Sequence, residues 1–259
     1  MKCLTLLVLI AFTGSLRADW RDELSVRRGK FPKPRAQTAN YEIGWSGVKA
    51  AEAQVKFSSA KSGVSKLEVK GGSVGLARAL YGMDGTLVSK CSSSLTPIQL
   101  VMVEDYGKKC VTTKLDFTRK GATCLRKVTP PDRKPPKPKQ FLFSRVHDPQ
   151  SALLFFHSLP LRMGDSARLC VCAGNSGNHL EVKVTGREKL CVAGHEWDTI
   201  RCDVKLSSVE KNRTLTPSKR LKRLTVWVSD DKDRLLLRAE GEIFLGSVWA
   251  EMKSVEFTK

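Results

Sequence analysis

The amino-acid sequence predicts a mainly β protein: one antiparallel sheet that is strongly curved or forms a partly open barrel, with one or two short packed helices. Three observations lead to this prediction. Apolar and polar residues alternate with a period of two along many short runs. Turn-forming residues separate successive runs by only a few positions, which favours antiparallel pairing of neighbouring strands. Helical spacing of apolar residues occurs in only two short stretches.

The first 18 residues have the layout of a secretory signal peptide. Lys2 provides a positive start, residues 3–12 form an apolar run, and small residues lead to a cleavage position near Ala18. The apolar run is shorter than the ~20 residues that a membrane-spanning helix needs; an uncleaved N-terminal anchor is the alternative. No later stretch approaches that length, so we expect no transmembrane span in the mature chain. The sequence therefore predicts export to the periplasm or cell envelope.

The remaining chain divides into a leader and one domain. Residues 19–38 are polar and basic and contain Pro32 and Pro34, so we expect an extended leader outside the core. Residues 39–259 are predicted to form a single β-rich domain, since β domains often run to ~200–250 residues. The strand-like runs of its N-terminal half are residues 41–46, 48–57, 67–69, 86–91, 98–104 and 110–117.

Two stretches favour helix, and one excludes a central strand. In residues 73–81, apolar side chains recur every four positions, which indicates one or two helical turns. A clearer helix over residues 149–159 begins after Asp148, a good N-cap, with Pro149 in the first helical position. Residues 129–139 contain five prolines and are predicted to be an exposed basic loop. The apolar stripe predicted for the second helix consists of Ala152, Leu153, Phe156 and Leu159.

From residue 166 onward the chain is predicted to be a succession of strands. Trp197, Trp227 and Trp249 alternate out of phase with the aliphatic residues around them, so one face of the sheet is expected to carry indoles. Together with Trp45, they are the candidate ligand-binding residues, lining an aromatic groove for a lipid tail or a sugar. The alternative is that the 149–159 helix or a loop covers this face.

The charge balance favours anionic partners. The chain has 45 Lys and Arg against 26 Asp and Glu, a net charge of +19. Loss of Lys2 and Arg17 with the signal peptide would leave +17. An anionic lipid, an envelope polysaccharide or an envelope protein could be the partner; the alternative is that the charge serves solubility alone. Nucleic acid is not expected, because the basic residues lack the aromatic interleaving of single-strand binders.

Seven cysteines follow the predicted cleavage position, and export would favour disulfides among them. The number is odd, so at least one thiol stays free or pairs with another chain. The alternative is that the last four of these cysteines bind zinc through four thiolates. The usual Cys-x-x-Cys knuckles of such sites are absent, so we expect no metal. We also expect no cofactor. The disulfide candidates, with unknown pairing, are Cys91, Cys110, Cys124, Cys170, Cys172, Cys191 and Cys202.

No catalytic motif is present. The sequence contains neither Gly-x-Ser-x-Gly nor His-Glu-x-x-His, and it has no phosphate-cradling glycine loop. Four histidines occur, at positions 147, 157, 179 and 195, and nothing singles one of them out. We therefore expect a protein that is not an enzyme and assign no catalytic residues.

Three groups of residues resemble a bacterial exported family catalogued as domain of unknown function 3108. They are residues 41–48, residues 148–164 with Asp-Pro-Gln-Ser-Ala-Leu and Leu-Pro-Leu, and residues 226–248 with Val-Trp-Val-Ser-Asp-Asp and Gly-Ser-Val. The resemblance spans about residues 39–257. It implies an envelope location and a β-rich fold, and it brings no known activity. The many cysteines and the run Phe155-Phe156-His157 depart from the family pattern.

These observations lead to three functional hypotheses. The first is a non-catalytic periplasmic or envelope protein that binds an amphipathic or anionic ligand, either a lipid or an envelope glycan. The second is an envelope assembly or structural factor that binds another protein through a sheet edge. The third, ranked last, is a hydrolase whose site has no recognised motif.

Overall fold

A computed structural model of the chain describes residues 19–59, 63–131, 137–219 and 221–258. The predicted signal peptide, residues 1–18, lies outside the described residues. The helices are α1 (Gly75–Leu80) and α2 (Pro149–Ser158). The strands are β1 (Gln37–Trp45), β2 (Val48–Ser59), β3 (Ser65–Ser73), β4 (Asp84–Cys91), β5 (Pro97–Asp105), β6 (Cys110–Thr118), β7 (Gly121–Thr129), β8 (Lys139–Leu142), β9 (Val146–His147), β10 (Ser166–Cys172), β11 (Gly177–Val192), β12 (His195–Val209), β13 (Leu215–Pro217), β14 (Leu221–Ser229), β15 (Leu236–Ile243) and β16 (Ser247–Phe257).

All the strands belong to one sheet, in the order β8-β7-β6-β5-β4-β3-β2-β1-β16-β15-β14-β12-β11-β10-β9, with β13 beside β12. Described neighbours are antiparallel, apart from the short parallel pair β9 and β10. The first strand joins the two halves of the sheet, because β1 pairs with both β2 and β16. The sheet does not close, since β8 and β9 stand at its two ends. The predicted fold class, a curved antiparallel sheet with one or two short helices, is confirmed.

The sheet curves so far that its two halves share a buried core. Leu100 of β5, Leu115 of β6 and Cys124 of β7 pack in one apolar cluster with Cys170 of β10 and Val209 of β12. Irregular pairings bend the central strands, including one between Asn40 and Tyr41, and such bulges increase the local twist. The concave side of the sheet is therefore the inside of the molecule.

The second helix lies within this curve, and its predicted start is confirmed. The carboxylate of Asp148 accepts a hydrogen bond from the backbone N–H of Ser151 (2.8 Å), and Ser151 Oγ accepts one from the backbone N–H of Asp148 (3.0 Å). This is a capping box, with Pro149 in the first turn. The single apolar stripe predicted for the helix is wrong, because eight of its ten residues are buried. The helix is enclosed on several sides, with β4, β9 and β10 among its neighbours.

The leader takes part in the core, which the sequence interpretation did not anticipate. Leu24 is only 6% exposed and belongs to the cluster between the two halves of the sheet. Trp20 stacks on Phe143 with ring centroids 5.1 Å apart. The leader then passes the end of α2, where the backbone N–H of Gly29 donates to Ser158 Oγ (2.9 Å). This passage brings the following residues of the leader close to the interior of the curved sheet.

The described part of the predicted basic loop, residues 129–131 and 137–139, is exposed, and its last residue begins β8. Residues 132–136 lie outside the described residues. Neither described helix is long and apolar enough to cross a bilayer.

Candidate functional site

A cavity of about 320 Å³ lies between α2 and the concave face of β1, β2, β3, β15 and β16. Because side chains of a strand point alternately to its two faces, residues two apart line the same wall. Most of the wall is aliphatic or aromatic, as expected of a small-molecule site. The apolar lining residues are Pro34, Ala39, Tyr41, Ile43, Ala53, Val55, Phe57, Leu67, Val69, Leu153, Leu154, Leu235, Leu236 and Ala250.

The cavity has a closed end and an open end. Ala39 and Phe57, on neighbouring strands, are buried beside α2. Further along the same strands, Ile43 and Ala53 are only half-buried. The hydroxyl of Tyr41 donates to the backbone carbonyl of Leu236 (2.8 Å), so this residue presents its ring rather than its hydroxyl to the cavity. An elongated apolar molecule could therefore lie along the strands, from the closed end toward the open one.

Polar side chains interrupt the apolar wall. Gln150, His157 and Arg234 line the cavity, and they are 1%, 4% and 3% exposed. Among the described residues, both side-chain heteroatoms of Gln150, both ring nitrogens of His157, and Nε and Nη1 of Arg234 have no hydrogen-bond partner. Oε1 of Gln37, which also lines the cavity, is likewise buried and has no hydrogen-bond partner among the described residues. Buried polar atoms are almost always paired, so this concentration at one cavity distinguishes it from ordinary core.

A tight turn between β14 and β15 positions Arg234. The backbone N–H groups of Asp233 (2.9 Å) and Arg234 (3.0 Å) both donate to Asp231 Oδ1, and Ser229 Oγ donates to the same oxygen (2.8 Å). Arg234 itself has a φ of +49°, in the left-handed region that few non-glycine residues adopt. The turn thus directs this arginine inward, beneath the end of α2.

The guanidinium of Arg234 has little compensation for its burial. Nη2 donates to the backbone carbonyl of Pro160 at 3.3 Å, and within the described part of the chain no carboxylate forms an ion pair with it. Burial lowers the pKa of Arg234, while Asp230 at longer range acts in the opposite direction. That aspartate is already paired with Arg187 at 2.7 Å. Arginine remains charged in proteins, so a positive charge stands at the closed end of an apolar cavity.

The neighbouring histidine is neutral. Burial, and secondarily the charge of Arg234, lowers the pKa of His157 to about 3. His157 can then both donate and accept one hydrogen bond. The described lining thus carries one cation, and hydrogen-bonding groups on Gln37, Gln150 and His157. In the described part of the chain, no group of three His, Cys, Asp or Glu side chains is arranged to hold a metal ion.

Sequence reasoning did not select these four residues. Gln37 lies in β1, Gln150 and His157 in α2, and Arg234 in a turn, so no linear motif joins them. The available signal was His157 itself, a polar side chain that directly follows the apolar run of residues 152–156 in the predicted helix.

The four candidate tryptophans lie elsewhere, and none lines the cavity. Trp45, at the end of β1, is 47% exposed, and its indole N–H donates to the backbone carbonyl of Leu245 (2.8 Å). Trp249, on β16, covers Gly44, where an added Cβ would lie 2.2 Å from the indole. This close approach explains why glycine occupies that position.

The other two tryptophans are held by neighbouring side chains and backbone. Trp227 is 9% exposed; its indole N–H donates to Glu188 Oε1 (2.5 Å), and Arg201 lies over its ring. Trp197 donates to the backbone carbonyl of Val192 (3.2 Å) and packs with the apolar cluster of that region. The structure therefore does not bring the four indoles together into one groove.

The seven described cysteines are free thiols, so the structure supplies no disulfide pairing. Five of them are buried, Cys191 is exposed and Cys110 is intermediate. Burial raises the pKa of Cys170 and of Cys202 to about 12, and that of Cys91 to about 11. Thiols of this kind stay protonated near neutral pH and behave as small apolar side chains.

Comparison with known proteins places these features in a family. The sequence model described as "Protein of unknown function (DUF3108)" matches residues 40–253, which confirms the resemblance found in the motifs. The search of curated proteins found no match. Among solved structures, a β-barrel-like protein of domain of unknown function DUF1849 from Brucella abortus has a TM-score of 0.57 at 7% identity, covering 88% of this chain and 99% of that chain.

Two further structures are less similar. A protein with a YmcC-like fold from Bacteroides fragilis has a TM-score of 0.37 at 9% identity, covering 89% of this chain and 100% of that chain. The hypothetical lipoprotein YmcC from Escherichia coli has a TM-score of 0.32 at 10% identity, covering 85% of this chain and 84% of that chain. At these identities, the Brucella structure supports the fold alone, and the other two carry no argument.

Proposed function

We propose that this chain, which belongs to the family of proteins of unknown function called DUF3108, binds an amphipathic molecule with an anionic head group. The head group occupies the closed end of the cavity beside Arg234, and the apolar part extends along β1 and β2 toward the open end. The protein acts as a carrier or sensor of this molecule rather than as an enzyme.

The observation that carries the proposal is the uncompensated charge of Arg234. A buried cation without an ionic partner is costly, because it loses its hydration and gains little in return. A carboxylate or phosphate next to Nε and Nη1 would supply both the missing charge and the missing hydrogen bonds. The neutral His157, on whose pKa the charge of Arg234 acts, could donate to another oxygen of such a group. Gln150 lies two helical turns earlier, about 10 Å along α2, and could bond a polar group farther along the molecule.

The apolar walls favour a lipid over an envelope glycan. A sugar would place hydroxyl groups against Val55, Phe57 and Leu67, where they would lack partners. The volume, about 320 Å³, is near the lower limit of the ~300–1,000 Å³ typical of small-molecule sites. A single-chain amphiphile, such as a fatty acid or a lysophospholipid, therefore suits the cavity better than a two-chain phospholipid.

The proposed location is the bacterial envelope. It is supported by the signal-peptide pattern of residues 1–18 and by the net charge of +19, which favours anionic surroundings. The second hypothesis, an assembly factor that binds through a sheet edge, has less support. The end strands β8 and β9 have four and two residues, so they offer few backbone groups for strand addition.

Two measurements test the proposal. Native mass spectrometry of the protein purified from its host should show a co-purifying acidic amphiphile. The fluorescent fatty acid cis-parinarate should bind the delipidated protein, with lysophosphatidic acid and palmitate as competitors that separate phosphate from carboxylate preference.

Arg234→Met should weaken cis-parinarate binding by about tenfold or more, since charge-assisted hydrogen bonds contribute ~1.5–3 kcal/mol. The matched control is Arg223→Met, because Arg223 is exposed and lies outside the cavity. Equal affinity of the two variants, or failure of the wild-type protein to bind any of the three amphiphiles, would remove the proposal.

A further inference from the structure

The exposed apolar side chains of this protein are concentrated at one end of the sheet. Of the eleven large apolar side chains that stand exposed in the described chain, seven are found there. Contiguous exposure of this kind usually marks an interaction site. The seven are Trp45, Val48, Leu76, Leu80, Tyr81, Phe244 and Leu245.

Direct contacts join these residues into one edge. The turn between β1 and β2 meets the turn between β15 and β16: Ser46 donates its backbone N–H to Ser247 O (2.8 Å), and a Cβ at Gly246 would lie 2.0 Å from Ser46 Oγ. The entrance to α1 is tied to β2 by the hydrogen bond from Val74 N–H to Ala50 O (2.9 Å). We call this set of two turns and α1 the apolar edge.

The helix of the apolar edge has an unusual exposure pattern. Both leucines of α1, Leu76 and Leu80, are exposed, and no residue of this six-residue helix is buried. Because these two leucines are not packed against the core, they contribute no stabilisation from apolar burial to the fold. The side chains protrude from the sheet instead of lining a groove, so they suit insertion into a soft apolar layer better than reception of a protein segment.

Basic residues flank the apolar edge on the side of β6 and β7. Tyr81 contacts Tyr106 with ring centroids 5.6 Å apart, which joins the edge to the turn between β5 and β6. That turn carries Lys108 and Lys109, both exposed, and Lys127 on β7 and Lys137 after it are exposed at the same end.

The carboxylates of the apolar edge are mostly neutralised. Glu42 pairs with Lys49 (2.8 Å) and with Lys253 (3.2 Å), and Glu52 pairs with Lys49 (2.6 Å). Asp84 pairs with Arg78 at 2.8 Å. At the start of the flanking turn, Asp105 accepts the backbone N–H of Gly107 (2.8 Å) and Glu104 accepts the hydroxyl of Tyr106 (3.0 Å), so two carboxylates stand beside the lysines of that turn and of β7. The flank therefore keeps an excess of positive charge.

We infer that the apolar edge docks on the surface of a bilayer that contains anionic lipid. Tryptophan and tyrosine favour the region between head groups and acyl chains, and lysines beside them are attracted by anionic head groups. Tyr41 and Ile43 of β1 line the cavity, and Trp45, two residues further along the same face of the strand, belongs to the apolar edge. The open end of the cavity therefore faces this edge. Docking itself does not depend on the proposed function. The inference rests on that function only for the identity of the molecule that the protein would take from the membrane, the amphiphile of the cavity.

Co-sedimentation with two kinds of vesicle tests this inference. The full mature chain should sediment with vesicles of equal parts phosphatidylcholine and phosphatidylglycerol, and added salt should weaken this binding. It should sediment poorly with vesicles of phosphatidylcholine alone. The double variant Leu80→Ser, Leu245→Ser should lose about tenfold or more in partition to the anionic vesicles, since each side chain loses its apolar burial. The matched control is Met163→Ser, an equally exposed apolar residue outside the apolar edge.

The outcomes are separable. Equal losses for the double variant and for Met163→Ser, or no binding to anionic vesicles by the wild-type protein, would overturn the inference. So would a dimer in sedimentation velocity that the double variant abolishes, because the edge would then cover a second copy. If the protein binds vesicles but not cis-parinarate, only the proposed function is contradicted. If it binds cis-parinarate but not anionic vesicles, only docking by the apolar edge is contradicted.

Discussion

The guanidinium carbon of Arg234 lies 3.8 Å from the centre of the Phe31 ring. This contact joins the leader to the turn between β14 and β15, and it closes the polar end of the cavity. Next to it, Asp233 forms an ion pair with Arg35 at 2.6 Å. The leader thus completes the site: two of its residues hold the turn from which Arg234 projects.

The first prediction concerns stability in the absence of ligand. Arg234→Met should raise the free energy of unfolding of the delipidated protein by about 1–4 kcal/mol, because replacing a poorly compensated buried ion by an apolar side chain is often stabilising. Urea denaturation at pH 7 measures this change. Ligand should then stabilise the wild-type protein more than the variant: at a hundred times the wild-type dissociation constant the gain is about 2.7 kcal/mol, and a variant that binds tenfold more weakly gains about 1.4 kcal/mol.

The comparison variant is Arg223→Met, on an exposed part of β14, which should leave both quantities within about 0.5 kcal/mol of wild type. A large loss of stability in Arg234→Met would mean that its contacts with Phe31 and Pro160 outweigh the cost of the charge. The arginine would then be a structural residue.

A second prediction follows from His157. Its pKa falls from 6.5 in the unfolded chain to about 3 in the folded protein, because burial disfavours the charged imidazolium. Between these values the unfolded state binds a proton that the folded state does not, so stability decreases as the pH falls below 6.5. The loss from this residue should be about 2.7 kcal/mol by pH 4.5, two units below the unfolded pKa.

The variant His157→Gln removes this titration, so its stability should fall less steeply over the same range. Denaturation midpoints measured at several pH values provide the comparison. His195→Gln is the control, because it makes the same exchange at an exposed histidine that does not line the cavity. A slope in His157→Gln that matches the wild-type slope would show that the imidazole is not kept neutral in the fold. His147, whose pKa burial lowers to about 4, contributes equally in all three proteins.

Much of the fold could be predicted because its causes are local. Period-two alternation identified the strands from β1 to β6, and the capping chemistry of Asp148 and Pro149 identified the start of α2. β7 was missed: its buried residues include the small Ala122 and Cys124, so its alternation gives a weak apolar signal. The burial of Leu24 was not predicted, because a single leucine in a polar segment forms no repeating apolar pattern that would indicate a buried face.

The site could not be predicted, because its causes are tertiary. Arg234 follows residues 230–233, whose sequence Asp-Asp-Lys-Asp is typical of a surface turn. Only the curvature of the sheet brings that turn beneath α2. His157 lies near Arg234 because the helix is enclosed on several sides, whereas the pattern indicated one buried stripe. Trp227 shows the same limit: its phase along β14 was read correctly, but the charged side chains that cover it, Glu188 and Arg201, come from other strands.

The third prediction concerns the thiols. In the native protein, Ellman's reagent near neutral pH should react rapidly with the exposed Cys191 and more slowly with Cys110. The five buried cysteines should react only after denaturation, because burial restricts access and raises the pKa of thiols such as Cys170. In protein that begins at residue 19, which lacks Cys3, seven thiols should be counted after denaturation without reduction, and Cys191→Ser should remove the fast phase. A count of five or fewer would show that disulfides form among the candidates.

The last prediction separates the cavity from the tryptophan hypothesis. Trp227 is nearly buried and its indole N–H is paired with Glu188, so Trp227→Ala should cost about 3–5 kcal/mol of stability, as for other large-to-small core changes. The fraction that remains folded should bind cis-parinarate with wild-type affinity, because this side chain does not line the cavity. Trp45→Ala, at a half-exposed indole, is the control and should cost about 1 kcal/mol or less. If Trp227→Ala instead stays folded and loses ligand, the indole-bearing face binds the ligand and the cavity beside Arg234 does not.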